Sequence, residues 1–396
     1  MAHYFRIWSV TLLVMLLATA AVNYWADPYG LYRDYGDGEW KPHAATQGAL
    51  IKPYRVLEAK AQVLVLGNSR AEVGFDPDDP AWPEEFKPVY NLALPGTATR
   101  TTRRLFEHAL TAHPPQAILL GVDFMDFLLP RNARGRDPAE VRRMLSSGDV
   151  PQRWLTRLHD AAATLASLDA LIHSLDTLRS KGRHGIPHLT LAGFNPMHDY
   201  QVLARNEGYF ALFRQRDAEN LRAYRQRPAN IHTKGTGSSP AFEDIRAILD
   251  NARAHGIQVW VVIYPYHAHL LEIFRIAGLW PLFEDWKREL THLVALSGRG
   301  HAVLWDFSGH HVYAREAVPV PADRATEVRW YWEAGHFKKE LGHIVLRSIL
   351  EPGQQGPGAI LTPGNIESHL DHLRQAAESY QRDLPALVRE LEKLAN

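Results

Sequence analysis

The 396-residue chain contains no cysteine. That absence excludes a disulfide framework, a thiolate metal site and a cysteine nucleophile. It also lacks an excess of charge of either sign, with 44 Lys and Arg against 44 Asp and Glu. Without a basic surplus nothing points to nucleic acid, and without an acidic block nothing points to a disordered tail. A Walker loop, the Rossmann glycine fingerprint and zinc motifs are missing too, so no cofactor and no metal is implied. His267 and His269 stand two residues apart, as metal ligands can, but no carboxylate cluster accompanies them.

Long apolar runs are scarce as well, and the one exception is at the start. FRIWSVTLLVMLLATAAVNYW, residues 5–25, is apolar from Ile7 to Val22 apart from small hydroxyls. A spanning helix needs about 20 mainly apolar residues, with ~17 at the lower end. Trp8, Tyr24 and Trp25 stand at its two ends, where amphipathic rings favour the interface. His3 and Arg6 precede it and Asp27 follows it. That bias puts the N-terminus in the cytoplasm and the rest of the chain outside it. A cleaved signal peptide is the rival, because Ala18, Thr19 and Ala20 resemble a small-residue cleavage site. The sparse charge before the apolar core, and the length of that core, favour an uncleaved anchor. Both readings put the globular part outside the cytoplasmic membrane.

Beyond the anchor, short apolar runs alternate with helical patterns. AQVLVLGNS, PVYNLALPG, PQAILLGVDF, IQVWVVIYPY and HAVLWDFSG read as five strands. Between them lie helical spacings, such as Leu105, Phe106, Ala109 and Leu110, and a last amphipathic helix in HFKKELGHIVLRSIL. This alternation defines an α/β protein with a parallel sheet. The organisation is an anchor or signal at 1–26, a linker at 27–60, a first core segment at 61–129 and a cap insertion at 130–238. A second core segment at 239–351 and a helical tail at 352–396 complete it. The insertion is too long for a plain loop and reads as a helical cap. The 11 Trp and 15 Tyr residues suit sugar-facing surfaces, although aromatics mostly fill cores.

Ligands of parallel sheets sit beyond the C-terminal ends of the strands. Ser69, Gly96, Asp123, the stretch from Tyr264 to His267, and Asp306 all fall there. A serine hydroxyl needs a base to become a nucleophile, and donors for the oxyanion it creates. YWEAGHFKKELGHI offers His336, with Glu333 three residues before it. A carboxylate there can hold one imidazole nitrogen while the other faces Ser69. The motif reads as the opening of the last helix. Each residue also has a plainer role. Ser69 can be a helix N-cap, Glu333 a favourable charge at a helix start, Gly96 a turn glycine. Arg70 can pair with a surface acid, Asp123 can cap a loop, and His267 can be a solvated helix start. His343 competes with His336 as the base, and Asp306 with Glu333 as the acid.

With these residues in place, the chain resembles the SGNH (GDSL-like) hydrolase superfamily. Within it, the likeness is to membrane-anchored bacterial members that include polysaccharide O-acetyltransferases. The nucleophile block is Gly67-Asn68-Ser69-Arg70, the oxyanion-glycine block is YNLALPGTAT with Gly96, and the acid–base block is Glu333-Ala334-Gly335-His336. The resemblance covers roughly 60–130 and 240–350. It implies a three-layer flavodoxin-like fold with a five-stranded parallel sheet, and Ser69, His336 and Glu333 as a catalytic triad. The block that normally supplies an oxyanion asparagine reads Gly121-Val122-Asp123-Phe124, without it. That leaves the oxyanion to the Ser69 and Gly96 amides, with Asn91 or Arg70 as further donors. Arg70, Asp123 and His267 are then substrate-binding candidates.

The function expected is acyl transfer through an acyl-serine: an O-acetyltransferase or an esterase acting on an envelope or exported polysaccharide. The resemblance also implies a membrane acyl-carrying partner, because acetyl-coenzyme A is cytoplasmic. The missing asparagine keeps a second class open, a non-catalytic scaffold or binding subunit that retains the fold.

Overall fold

The computed structural model describes residues 1–32, 41–130, 150–180, 189–226, 229–233, 239–351, 353 and 356–394. Its main elements begin with helices α1 (Ala2–Ala26) and α2 (Gly48–Ala59), followed by β1 (Val63–Leu66), α3 (Ser69–Gly74), β2 (Val89–Asn91), α4 (Thr99–Leu110) and β3 (Ala117–Val122). The insertion holds β4 (Leu129–Pro130), α5 (Val150–Leu165), α6 (Leu168–Arg179), α7 (His198–Glu207), α8 (Tyr209–Gln226) and β5 (Ala229–Asn230). Then come α9 (Pro240–Ala254), β6 (Gln258–Ile263), α10 (Ala268–Ile276), α11 (Trp280–Gly298) and β7 (Ala302–Asp306). The chain closes with β8 (Tyr331–Glu333), β9 (His336–Phe337), α12 (Lys339–Leu350), β10 (Ala359–Leu361), α13 (Ile366–Asp383) and α14 (Pro385–Lys393).

The main sheet has six strands in the order β10-β7-β6-β3-β1-β2. Five are parallel, and β10 runs antiparallel to β7, with Ala359 opposite Asp306. Every residue of β1 and β3 is buried. This is why they read as unbroken apolar runs rather than alternating ones. The sheet therefore exceeds the five strands expected. β10 was missed because three residues after Gly356, Pro357 and Gly358 carry no usable period.

Helices α4, α9 and α11 pack side by side, and α12 packs on α3. The chain steps across the sheet in opposite directions from β1 to β2 and from β2 to β3, so the right-handed rule for such crossovers assigns α3 and α4 to opposite faces. Pro281 stands in the first turn of α11 and Pro385 in that of α14. Each starts a helix, the position where a missing N–H costs nothing.

The insertion leaves and re-enters the core through one neck, where β4 pairs with β5, Leu129 opposite Asn230. Its two halves pack in different places. α5 and α6 lie against the end of α1, whereas α8 lies against α10 and β8. Part of the cap segment, 131–149, 181–188, 227–228 and 234–238, lies outside the described residues. The stretch read as a linker contains α2, whose buried Leu50 and Ile51 form a small second core with Tyr29, Ala44, Ala170 and Leu189.

Candidate active site

β1 ends at Gly67, whose φ of +145° favours glycine. A side chain there would run into the Tyr264 hydroxyl, and so would one at Gly121. The two glycines thus admit a buried tyrosine directly beneath the turn. Asn68 caps α3, its side chain accepting from Arg70 N–H at 3.1 Å. Ser69 is therefore the first helical residue and not the cap. Its amide is one of the donors that a helix start leaves without an intrahelical partner.

Ser69 Oγ lies 2.8 Å from His336 Nε2. His336 Nδ1 is hydrogen-bonded to Glu333 Oε1, and the Gly335 N–H donates to Oε2 at 2.7 Å. Serine, histidine and glutamate thus stand in one line. The histidine does not open the last helix, as its sequence setting suggests. It sits on β9 of the short β8–β9 hairpin, and α12 starts at Lys339.

The hairpin is locked onto the serine helix by close packing. Phe337 occupies the space a side chain at Gly74 would need, and Gly342 of α12 presses on the Gly74 carbonyl. Arg70 adds a polar tie. Its Nε donates to Gly335 O at 2.6 Å, and its Nη1 pairs with Asp123.

Asp123 is buried and also accepts from Tyr266 Oη at 2.9 Å and Asn68 Nδ2 at 3.0 Å. Arg70 and Asp123, expected to meet substrate, are instead spent inside the protein, binding the serine turn to the histidine turn. A buried charge is stable only when paired in this way.

Two further expectations change. Asn91 is fully buried, and its amide nitrogen donates to the carbonyls of Ala71 (2.9 Å), Glu72 (3.3 Å) and Phe75 (2.9 Å). It pins α3 to the sheet and has no proton left for an oxyanion. His267 is buried and caps α10, its Nδ1 accepting from His269 N–H at 3.2 Å while Nε2 meets Glu316 O at 2.9 Å. With both ring nitrogens used, it is not free to bind substrate. Burial, followed by His269 nearby, holds its pKa well below the usual value, so it stays neutral. Gly96 stands exposed after β2 with a φ of +66°. Its loop is fixed to the nucleophile turn by Leu94 N–H on Gly67 O at 3.2 Å.

The competitors lie elsewhere. His343 pairs with Asp79 at 2.8 Å. Asp306 is held by Lys287 at 2.5 Å and His369 at 2.8 Å. Burial pushes the Asp306 carboxyl up, but the Lys287 ammonium and the hydrogen bond with His369 leave it well below the usual range. No group of three or more potential metal ligands occurs among the described residues.

Two residues escaped the sequence reading. Arg216, on α8 of the insertion, brings its Nε to 3.7 Å from Glu333 Oε2 and donates to Tyr200 Oη at 2.7 Å. Burial pushes the Glu333 carboxyl up, but His336, Arg216 and the Gly335 amide together leave it below its usual value. Asp126 accepts from Asn68 Nδ2 at 3.1 Å. Burial carries its carboxyl up to about 7, against the pull of Arg70 and Asn68. Neither had a signal: one is an arginine among many in the insertion, the other an acid in FMDF, a turn without a motif.

The fold and site together define a mostly parallel α/β protein with a serine–histidine–glutamate line at the C-terminal end of β1. Compared with protein-family models and with curated proteins, the chain matches none.

Proposed function

We propose that this chain is a membrane-anchored, extracytoplasmic serine acyl-transfer protein of the SGNH type. In this reading its sheet is the centre of a three-layer flavodoxin-like fold, to which the parallel order β7-β6-β3-β1-β2 corresponds. One observation carries the proposal: Ser69 Oγ at 2.8 Å from His336 Nε2, with Glu333 on the opposite ring nitrogen. A scaffold that had lost its chemistry would have no need of a buried carboxylate bonded to that nitrogen. α1, with a mean hydropathy of 1.9 over its best window, is long and apolar enough to span a bilayer.

Ser69 Oγ attacks the ester carbonyl carbon and passes its proton to His336 Nε2. Glu333 holds the Nδ1 proton and balances the imidazolium charge. The Ser69 amide and the Gly96 amide are the donors proposed for the oxyanion. Collapse breaks the ester C–O bond, and His336 returns the proton to the departing alcohol, leaving acyl-Ser69. A second hydroxyl then enters, gives its proton to His336 and takes the acyl group, breaking the bond to Ser69 Oγ, which regains its proton from His336. Water makes the protein an esterase, whereas a sugar hydroxyl makes it an O-acetyltransferase. The membrane setting and the family likeness favour the second, on an envelope or exported polysaccharide, with the acyl group delivered by a membrane partner. A cavity of about 220 Å³ lined by Tyr209, Trp332, Arg205, Arg324 and Lys338 adjoins the Glu333–His336 hairpin in sequence.

The test is labelling with a fluorophosphonate probe, followed by mapping of the modified residue. Modification of Ser69, lost in Ser69→Ala with the thermal melt unchanged, is the expected result. An unlabelled Ser69 in the folded protein returns the scaffold reading.

A further inference from the structure

α5 and α6 are patterned inside out. The faces they turn toward the protein are small or polar: Asp160 and Thr164 on α5, and Ala170, Ser174 and Thr177 on α6, all buried. The surface they turn outward is largely apolar, with Arg157, His159 and Asp169 also exposed. Trp154, Leu155, Leu158, Leu168, Ile172 and Leu175 are each between 42 and 71% exposed. On α6 the three recur at i, i+4 and i+7, so they form one stripe, which exposed Arg179 continues. A surface helix in water shows the reverse arrangement. Contiguous exposed apolar surface marks a contact with protein or membrane.

Position decides between them. The apolar run Ile7–Val22 of α1 is about 24 Å long at ~1.5 Å per residue, and its residues as far as Ala18 are exposed. That is close to the ~30 Å of a hydrocarbon core. Asn23, one turn further on, is buried. Its Nδ2 donates to the carbonyls of Thr164 (3.2 Å), Leu165 (2.9 Å) and Ser167 (3.1 Å), and its Oδ1 accepts from Ser174 Oγ at 2.9 Å. Those partners are the end of α5, the turn that follows it and the second turn of α6. The hairpin is thereby fixed at the height where α1 leaves the bilayer, beside exposed Tyr24 and Trp25.

We propose that the α5–α6 hairpin lies in the membrane interface, with both apolar stripes in the boundary between headgroups and acyl chains. An interfacial helix seats its apolar face roughly 5–10 Å deep there. Arg157 and Arg179, both exposed, reach back to the lipid phosphates along their aliphatic stems. The occupant is lipid because the turn that joins the two helices is bonded to Asn23, directly beyond the exposed apolar residues of α1. The proposal rests on α1 as a span, and the chain then holds the membrane at two places.

The absence of cysteine makes the test direct. Leu155→Cys, Leu168→Cys and Ile172→Cys each carry a single environment-sensitive dye. Leu13→Cys in α1 is the positive control, and Leu296→Cys, an exposed apolar site on α11, the negative one. The full chain is placed in phosphatidylcholine–phosphatidylglycerol vesicles, with or without lipids bearing a nitroxide high on the acyl chain. Positions 155, 168 and 172 should shift to the blue and lose emission to the nitroxide as position 13 does, while 296 does neither. Quenching at 13 but not at the hairpin overturns the proposal and leaves α1 as a span. A blue shift without quenching, lost when the protein is diluted in lipid, assigns the surface to a second copy. Equal quenching at 296 makes the lipid contact unspecific, and no quenching at 13 removes the span and the hairpin proposal together.

Discussion

Replacing Glu333 by glutamine swaps one carboxylate oxygen for an NH2 group, and the surroundings dictate which. Glu333 is 1% exposed. Oε2 faces the Gly335 N–H at 2.7 Å and Arg216 Nε at 3.7 Å, both donors. The amide oxygen must therefore take that side, which turns the NH2 toward His336 Nδ1. An NH2 there donates, so Nδ1 must accept and the ring proton moves to Nε2. Nε2–H then faces Ser69 Oγ and cannot take its proton. The wrong tautomer in a serine–histidine–aspartate triad lowers kcat by about 10⁴, or ~5.5 kcal/mol at ~1.36 kcal/mol per tenfold. We expect Glu333→Gln to fall by about that factor, with an unchanged thermal melt and little change in KM. The assay is the initial rate of hydrolysis of a chromogenic acetyl ester by the purified full chain. A loss smaller than about tenfold in a folded variant would refute the orientation argument, since such a loss is what an auxiliary charge would give.

Four further outcomes follow from the packing and the charges. Gly74→Ala forces Phe337 aside at a cost of about 1–3 kcal/mol. Turnover should drop more than stability does, because His336 is the adjacent residue; equal rates at a temperature where both proteins are folded would argue against the Phe337 lock. Asn91→Ala leaves three carbonyls without their donor, and should cost about 1–3 kcal/mol in a denaturant melt. A fall in kcat with no change in stability would return Asn91 to the oxyanion. Asp126 has a raised folded pKa, so the native state holds this proton more tightly than the unfolded chain does. Its stabilising contribution is full below about pH 3.9 and fades as pH rises through about 7. Asp126→Asn should flatten that part of the stability–pH curve, and an unaltered slope would contradict the assigned shift. Finally, a reporter active only in the cytoplasm and fused after Asp27 should be silent, whereas activity there would reverse the orientation of α1.

What the sequence revealed, and what it hid, divides along physical lines. β1 was legible because a strand buried on both faces is a continuous apolar run, and Gly67 marks its end. The Ser69–His336–Glu333 line was legible because a serine at a strand end, and a carboxylate three residues before a histidine, stand out in the sequence. The secondary structure around His336 was misread although the signal existed. Tyr331 and Trp332 favour strands, and Ala334 with Gly335 makes a turn, so YWEAGHF is better read as a hairpin. Arg70, Asn91, Asp123 and His267 failed for a different reason. Each is a polar residue at a strand end, and the pattern cannot tell whether such a group points at a ligand or at an orphan carbonyl. In all four the interior wins, since an unsatisfied buried donor or charge costs more than a substrate contact returns.

The insertion was the least legible part, because its meaning lies in what its two halves touch. Read as a cap, it should lie over the serine. Instead α5 and α6 hold Asn23 at the foot of α1, while α8 sends Arg216 to Glu333. The aromatic and polar run in its second half also ties the serine helix, with Asn195 N–H on Glu72 O at 3.3 Å, and the end of β2, with Asn91 N–H on Ala192 O at 2.8 Å. One inserted segment thus contacts α1, the serine helix and the glutamate beside His336. If α1 spans a bilayer, as proposed, the clamp at Asn23 fixes the height of the serine–histidine–glutamate line above it, the arrangement that acyl delivery from a membrane-confined donor would need.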